Sequence, residues 1–333
     1  VAILPMVQLE YRIHMAPTDI VRGARLRTLP LSVAAVVTGA GCAVNWQGRV
    51  LLFNNVPDSV LVAWRSMVWV FLLCLGVAVF LQIAANYMND YSDGIRGTDE
   101  HRDANAPARL VASGVPARQV LAAALVSVAL ACLCGLGVIA LTQRWVLLAI
   151  GVLSIAAAWW YVGGRHPYGY MGWGEPAAFL FFGPVAVLGT QYAMCGAISQ
   201  FGVVGAVAMG LNSMAVLSVN NLRDVQSDTS SGKRTWMVMF GTERGAVALC
   251  TMLAVYVLLL IIPWIDAVRS IEVIPYGMPL AIGACVGTVG TVAMAAIVTR
   301  QVVHGRFGRA LMMCSGMSLV FAATYVCLSC IVL

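Results

Sequence analysis

AWRSMVWVFLLCLGVAVFLQIAANYMNDYSDGIRGTD, residues Ala63 to Asp99, joins a long apolar run to a cluster of acids, and the reading of that join decides the fold. Residues 63 to 88 are long and apolar enough to cross the hydrocarbon of a bilayer as a helix, for which ~20 residues suffice. Asn86, Asn89, Asp90 and Asp93 fall at i, i+3, i+4 and i+7, so a helix that continues past the membrane surface presents them on one face. A second stretch, NNLRDVQSD from Asn220 to Asp228, ends another apolar run in the same way, with Asn220, Asn221, Asp224 and Asp228 at i, i+1, i+4 and i+8. The spacing predicts a second single stripe, and two helix ends whose acids converge.

The rest of the chain is consistent with a membrane bundle. Charged residues make up 10% and hydrophobic residues 61% of the 333, and the mean hydropathy is +0.87, outside the range of soluble domains. Nine apolar stretches are read as transmembrane helices, at 29 to 45, 63 to 88, 117 to 141, 145 to 162, 176 to 195, 200 to 221, 245 to 263, 277 to 299 and 310 to 332. Helices are required because lipid cannot satisfy open backbone groups. With the N-terminus in the cytoplasm, sixteen basic residues fall inside and only Arg49, Arg65, Arg144 and Arg269 outside, which predicts a cytoplasmic N-terminus and an outer C-terminus. The net charge of +6 is then mostly a topology signal, not a nucleic-acid footprint. Residues 1 to 20 read as a cytoplasmic leader without a signal-peptide apolar region, and 21 to 333 as one membrane domain in the plasma membrane.

Most of the ten cysteines lie inside apolar spans and read as small packing groups. The four histidines are scattered through loops and leader, so neither residue type suggests a zinc or redox site. The long loops at 89 to 116 and 222 to 244, both cytoplasmic, hold eight of the fourteen acids. Like charges ~5 Å apart repel by roughly 3 kcal/mol at an effective dielectric near 20, so a cation is expected between them. With only hard oxygen ligands in the set, Mg2+ fits better than zinc or copper, and Mg2+ usually bridges carboxylates to substrate phosphates. Arg96 and Arg102 beside the first cluster, Lys233 and Arg234 after the second, and Arg25, Arg27 and Arg165 in other cytoplasmic segments could meet a phosphate or simply face lipid headgroups. Trp159, Trp160, Tyr161, Tyr168, Tyr170 and Trp173 could stabilise an allylic cation or form an interfacial belt.

NDYSDGIRGTD, the ASG at Ala112 to Gly114 and NNLRDVQSDTSSGKRT ending at Thr235 closely resemble the UbiA superfamily of intramembrane prenyltransferases. RLRTLPLS from Arg25 to Ser32 and YVGGRHPYGYMGWGEPAAFLFFGPVAVLGT from Tyr161 to Thr190 resemble its MenA branch, which prenylates 1,4-dihydroxy-2-naphthoate. The resemblance implies that Asp90, Asp93, Asp224 and Asp228 hold Mg2+ and act in catalysis, and that Asn86, Asn89, Arg96, Arg165 and Lys233 bind the diphosphate of a polyprenyl donor. It places Tyr161, Tyr170, Asn220 and Asp99 on the acceptor or cation side. Many members carry another Asp four residues after the counterpart of Asp93, where this chain has Gly97 with Asp99 two positions later, a shift that resembles the naphthoate branch.

The implied reaction is ionisation of the allylic C–O bond, attack by the naphthoate ring, and loss of the acceptor carboxylate as CO2 to give demethylmenaquinol. Other aromatic or sugar-phosphate acceptors remain alternatives, as does a cation-coupled transporter. Against a transporter, the acids end helices on one side and do not sit at the midplane.

Overall fold

The computed structural model describes residues 14–53, 59–97, 109–164, 167–270 and 277–331, and among them there is helix but no strand. The long helices are α1 (Leu29–Phe53), α2 (Ser59–Ile95), α3 (Ala117–Thr142), α4 (Val146–Val162), α5 (Gly174–Cys195, in three pieces), α6 (Gln200–Arg223), α7 (Thr242–Leu258), α8 (Gly277–Val303) and α9 (Phe307–Ile331). Eight helical stretches among the described residues are long and apolar enough to cross a membrane, against the nine expected. The difference is α4, whose 17 residues lie at the lower limit for a span. Helix Pro17–Ala24 precedes α1, and Ile261–Ser270 prolongs α7 after a short turn.

The breaks between neighbouring helices have local causes. Gln143 ends α3 in the left-handed region (φ 56°) with its N–H on the Ile139 carbonyl at 2.7 Å. Arg144 then donates to the Ala193 carbonyl and lies 5.4 Å from the Tyr192 ring, which fixes the α3–α4 turn to the end of α5. Ser199 caps α6 by accepting the Gly202 N–H at 3.0 Å. In α5, residues Phe181–Leu188 form a π-helical stretch around Pro184, which has no N–H to give and is accommodated by the wider turn.

Helix α6 is the central element, packing on α5, α7, α1 and α9, while α2 pairs with α3 and α8 with α9. Close approach of α5 and α6 depends on small residues, as is usual between membrane helices. A Cβ on Gly183 would stand 2.4 Å from the Ala206 carbonyl oxygen and 3.0 Å from the Gly210 Cα. Gly183→Ala should therefore destabilise the fold by about 1–3 kcal/mol, read as a lower thermal midpoint in detergent. An unchanged midpoint would mean that the two helices can part freely. On the far side of α6, Tyr256, Phe321 and Tyr325 stack at centroid distances of 4.5 and 5.5 Å, and Tyr325 donates to the Phe201 carbonyl at 2.6 Å. That packed half leaves the open space between α1 to α6.

Candidate active site

The first acid cluster lies where the sequence spacing puts it. Helix α2 runs unbroken to Ile95 and carries Asn86, Asp90 and Asp93, all buried. Asn86 Nδ2 donates to the Ala24 carbonyl at 2.9 Å and to Thr28 Oγ1 at 3.2 Å, so the segment before α1 docks against the end of α2. In that segment Arg25 takes the left-handed conformation (φ 50°), uncommon for a residue with a side chain, and its guanidinium donates to Asp90 Oδ1. Arg109 donates to the same oxygen at 2.8 Å. Asp90 thus faces two guanidinium groups, and Arg25 is held at the mouth of a cavity that it lines.

The second cluster departs from the expected single stripe. Helix α6 stops at Arg223, Asp224 leaves helical geometry (φ −98°, ψ 12°), and a separate short helix, Val225–Ser230, carries Asp228. The break re-aims the two acids. Asp224 meets its neighbour Arg223, with Nε–Oδ1 at 2.6 Å and Nη2–Oδ2 at 2.8 Å, whereas Asp228 is buried. The Asp228 carbonyl accepts the Lys233 N–H at 2.8 Å, closing a turn that brings Lys233 Nζ to 3.7 Å from Asp228 Oδ1.

Tyr170 joins the two clusters. Its hydroxyl donates to Asp93 Oδ1 at 2.6 Å, and its ring has Lys233 Nζ at 5.4 Å and the Arg96 guanidinium at 5.5 Å. Burial pulls the Lys233 ammonium down, but Asp228, Asp93, Tyr170 and Asp224 outweigh it and hold its pKa above the ordinary lysine value. The contacts that bring the motifs together are Tyr170, whose hydroxyl is on Asp93, and Lys233, which lies over the Tyr170 ring and beside Asp228.

Beneath this polar mouth lies an apolar cavity of about 600 Å3. Gln82, Asn86, Asn89 and Asn220 line its upper end, and Cys74, Val138 and Ala193 are among the residues of its apolar wall. Tyr161 and Tyr168 line it too, edge to face at 5.4 Å. Burial pushes the Tyr168 hydroxyl up to about 12, so it stays neutral and donates to the Ala157 carbonyl at 2.9 Å. Trp159, Trp160 and Trp173 are exposed and suit the belt reading.

Of the residues singled out from sequence, Asp90, Asp93, Asp228, Lys233, Tyr170, Asn86, Asn89, Asn220 and Tyr161 gather around the mouth or line the cavity. Arg96 caps the Gly164 carbonyl at 2.6 Å. Asp99, Arg102 and Arg165 lie outside the described residues. Sequence reasoning passed over the part played by Arg25 and Arg109 on Asp90, and it passed over Glu175, whose signal was a lone acid opening an apolar span. No three His, Cys, Asp or Glu side chains among the described residues gather closely enough to hold a metal unaided. Mg2+ ordinarily takes one or two carboxylates and completes its shell with water and substrate phosphate, and Asp93 and Asp228, both oxygen donors on opposite sides of the mouth, fit that mode.

An acid-rimmed mouth over an apolar cavity, in a bundle of helices long enough to cross a membrane, sets a place for a charged group directly above room for an apolar chain. The chain belongs to the UbiA prenyltransferase family, whose model matches residues 58–306. A 1,4-dihydroxy-2-naphthoate octaprenyltransferase of Mycobacterium tuberculosis is 46% identical over 252 residues, covering 73% of this chain and 79% of the relative. The enzyme of the same name from Escherichia coli is 38% identical over 223 residues, 65% of this chain and 67% of that one. Among solved structures, an apo UbiA homologue from Aeropyrum pernix K1 shares the fold with a TM-score of 0.61 at 18% identity, over 90% of this chain and 97% of that one. A homologue from Archaeoglobus fulgidus bound to DMAPP and Mg2+ has a TM-score of 0.55 at 15% identity, over 92% and 98% of the two chains.

Proposed function

We propose that this protein transfers a polyprenyl group from polyprenyl diphosphate to 1,4-dihydroxy-2-naphthoate, releasing diphosphate and CO2 and yielding demethylmenaquinol. The observation that carries the reading is the convergence of two acid motifs, through Tyr170 and Lys233, above a long apolar cavity. The relatives of the same named activity support the choice of acceptor.

In this reading Asp93 and Asp228 hold Mg2+, which when bound neutralises charge on the departing diphosphate. Asp90 holds Arg25 at the mouth, where its guanidinium meets the diphosphate together with Lys233. Asp224, paired with Arg223, is one of the carboxylates that keep the Lys233 ammonium charged. The prenyl tail lies in the cavity, and the faces of Tyr161 and Tyr168 attend the allylic carbon as the C–O bond breaks. The ring carbon of the acceptor forms the new C–C bond, and loss of its carboxylate as CO2 returns the electron pair to the ring. The domain is the single membrane unit 21–333, with the mouth, the N-terminus and the released diphosphate on the cytoplasmic side of the plasma membrane.

The test is purified protein assayed with one polyprenyl diphosphate against naphthoate, hydroxybenzoate and homogentisate acceptors, with and without EDTA. Prenylated product from the naphthoate alone, lost with EDTA and restored by Mg2+, is expected. Product from another acceptor alone would overturn the naphthoate assignment, and ion-driven uptake in proteoliposomes without product would overturn the enzyme reading. Lys233→Ala should raise the donor KM by about 10-fold or more, as loss of a charge-assisted contact worth ~1.5–3 kcal/mol requires, with the acceptor KM unmoved. An unchanged donor KM and kcat would return Lys233 to a headgroup contact.

A further inference from the structure

Glu175 is a fully buried acid that the reaction just described does not use. It stands at the start of α5, and one oxygen, Oε1, accepts two hydrogen bonds, from Asn221 Nδ2 at 2.8 Å and from the Trp236 N–H at 3.2 Å. Those two donors bracket the second acid motif: Asn221 precedes Asp224 on α6, and Trp236 follows Lys233 at the start of helix Trp236–Phe240. The segment leading into Glu175 takes two more bonds from the same stretch, the Arg234 N–H to the Tyr170 carbonyl at 2.9 Å and Trp236 Nε1 to the Gly172 carbonyl at 2.9 Å. Gly172 makes the turn between them in the left-handed region (φ 84°). At the other end of this segment the Tyr170 hydroxyl holds Asp93 of the first motif.

Residues Tyr170 to Glu175 therefore bind both ends of the second motif with one hand and the first motif with the other. Glu175 is the acid in that set of contacts, and its Oε2, sealed from solvent, accepts no hydrogen bond from a described residue. A buried carboxyl with one dry oxygen is expensive where packing alone is served, since an apolar side chain would fill the space without the desolvation penalty.

We propose that Glu175 is a positioning residue that fixes the second acid motif relative to the first, and so sets the gap into which the metal and the donor diphosphate fit; this rests on the prenyl-diphosphate reading above. Glu175→Gln keeps an acceptor oxygen at Oε1, and Glu175→Ala removes it.

The readout is equilibrium binding of radiolabelled geranyl diphosphate to the purified full chain, titrated with Mg2+, alongside thermal midpoints and the KM of donor and acceptor. Glu175→Ala is expected to raise both the Mg2+ concentration for half-maximal binding and the donor KM by about 10-fold, leaving the acceptor KM within about twofold, while Glu175→Gln stays within about threefold of wild type. Asn221→Ala, which cuts the same contact from the opposite side, should shift Mg2+ dependence in the same direction and serves if Glu175→Ala does not fold. Unchanged Mg2+ dependence in either alanine variant, or a uniform fall in all parameters that tracks lost folded protein, would overturn the proposal. Wild-type protein that fails to bind geranyl diphosphate at any Mg2+ concentration would overturn the underlying reading, a result separate from any ratio between variant and wild type.

Discussion

Asparagine in place of Asp228 is expected to leave a folded membrane protein with less than about one hundredth of wild-type turnover. The substitution keeps the size of the side chain, and the turn that presents it is closed by the Asp228 backbone carbonyl on the Lys233 N–H, so the local structure has no reason to collapse. What is lost is charge. The Lys233 ammonium loses the first of the carboxylates that favour it, and a divalent cation loses a ligand on the α6 side of the mouth. Asp93→Asn should do the same from the α2 side, with the Tyr170 hydroxyl still able to donate to the remaining carbonyl oxygen. Turnover measured over a wide Mg2+ range, together with the thermal midpoint, decides it. Either variant keeping most of its activity at ordinary Mg2+ would remove that residue from the metal site.

The second large effect is expected at Gly189. This residue lines the cavity, and a Cβ built on it meets no atom within 4 Å, so a side chain there grows into open space and not into a neighbouring helix. It lies fifteen residues along α5 from Gly174, which lines the same cavity near the mouth, and at 1.5 Å per residue that is roughly 20 Å deeper. Gly189→Phe should therefore obstruct a long tail and spare a short one. With an octaprenyl donor kcat/KM is expected to fall by about 100-fold or more, and with a geranyl donor to stay within about threefold. Equal losses with both donors would mean that the tail takes another path.

Much of this architecture was legible in the residues because lipid leaves so little choice. Apolar runs of the right length must be helices, and acids at i, i+3, i+4 and i+7 on a helix that does not stop must share a face, as Asn86, Asn89, Asp90 and Asp93 do on α2. The same argument applied to Asn220 to Asp228 missed the break at Asp224, because where a helix ends there depends on pairing with Arg223 and on the Asp228–Lys233 turn, neither of which periodicity encodes. Glu175 was illegible for a related reason. Its partners lie 46 and 61 residues away, and from sequence a single acid at the edge of an apolar span looks like the edge of the span. The α3–α4 split at Gln143 and Arg144 could be read as well, and α4, Val146–Val162, is one residue shorter than the stretch expected at 145 to 162.

The 333 residues contain one lysine, and it lies at the mouth of the site. Lys233 is therefore the sole side-chain primary amine in the sequence, and peptide mapping tells a label on it from one on an α-amine, so it can be followed at the point where the substrate's head group is proposed to rest. Because acids of both motifs hold that amine protonated above the ordinary lysine range, labelling should be sluggish near neutrality and quicken only at high pH. Peptide-mass measurement of the Lys233 segment with and without a prenyl diphosphate would then report occupancy of the mouth, with no turnover required: a bound head group should shield the amine, and undiminished labelling would place that head group elsewhere.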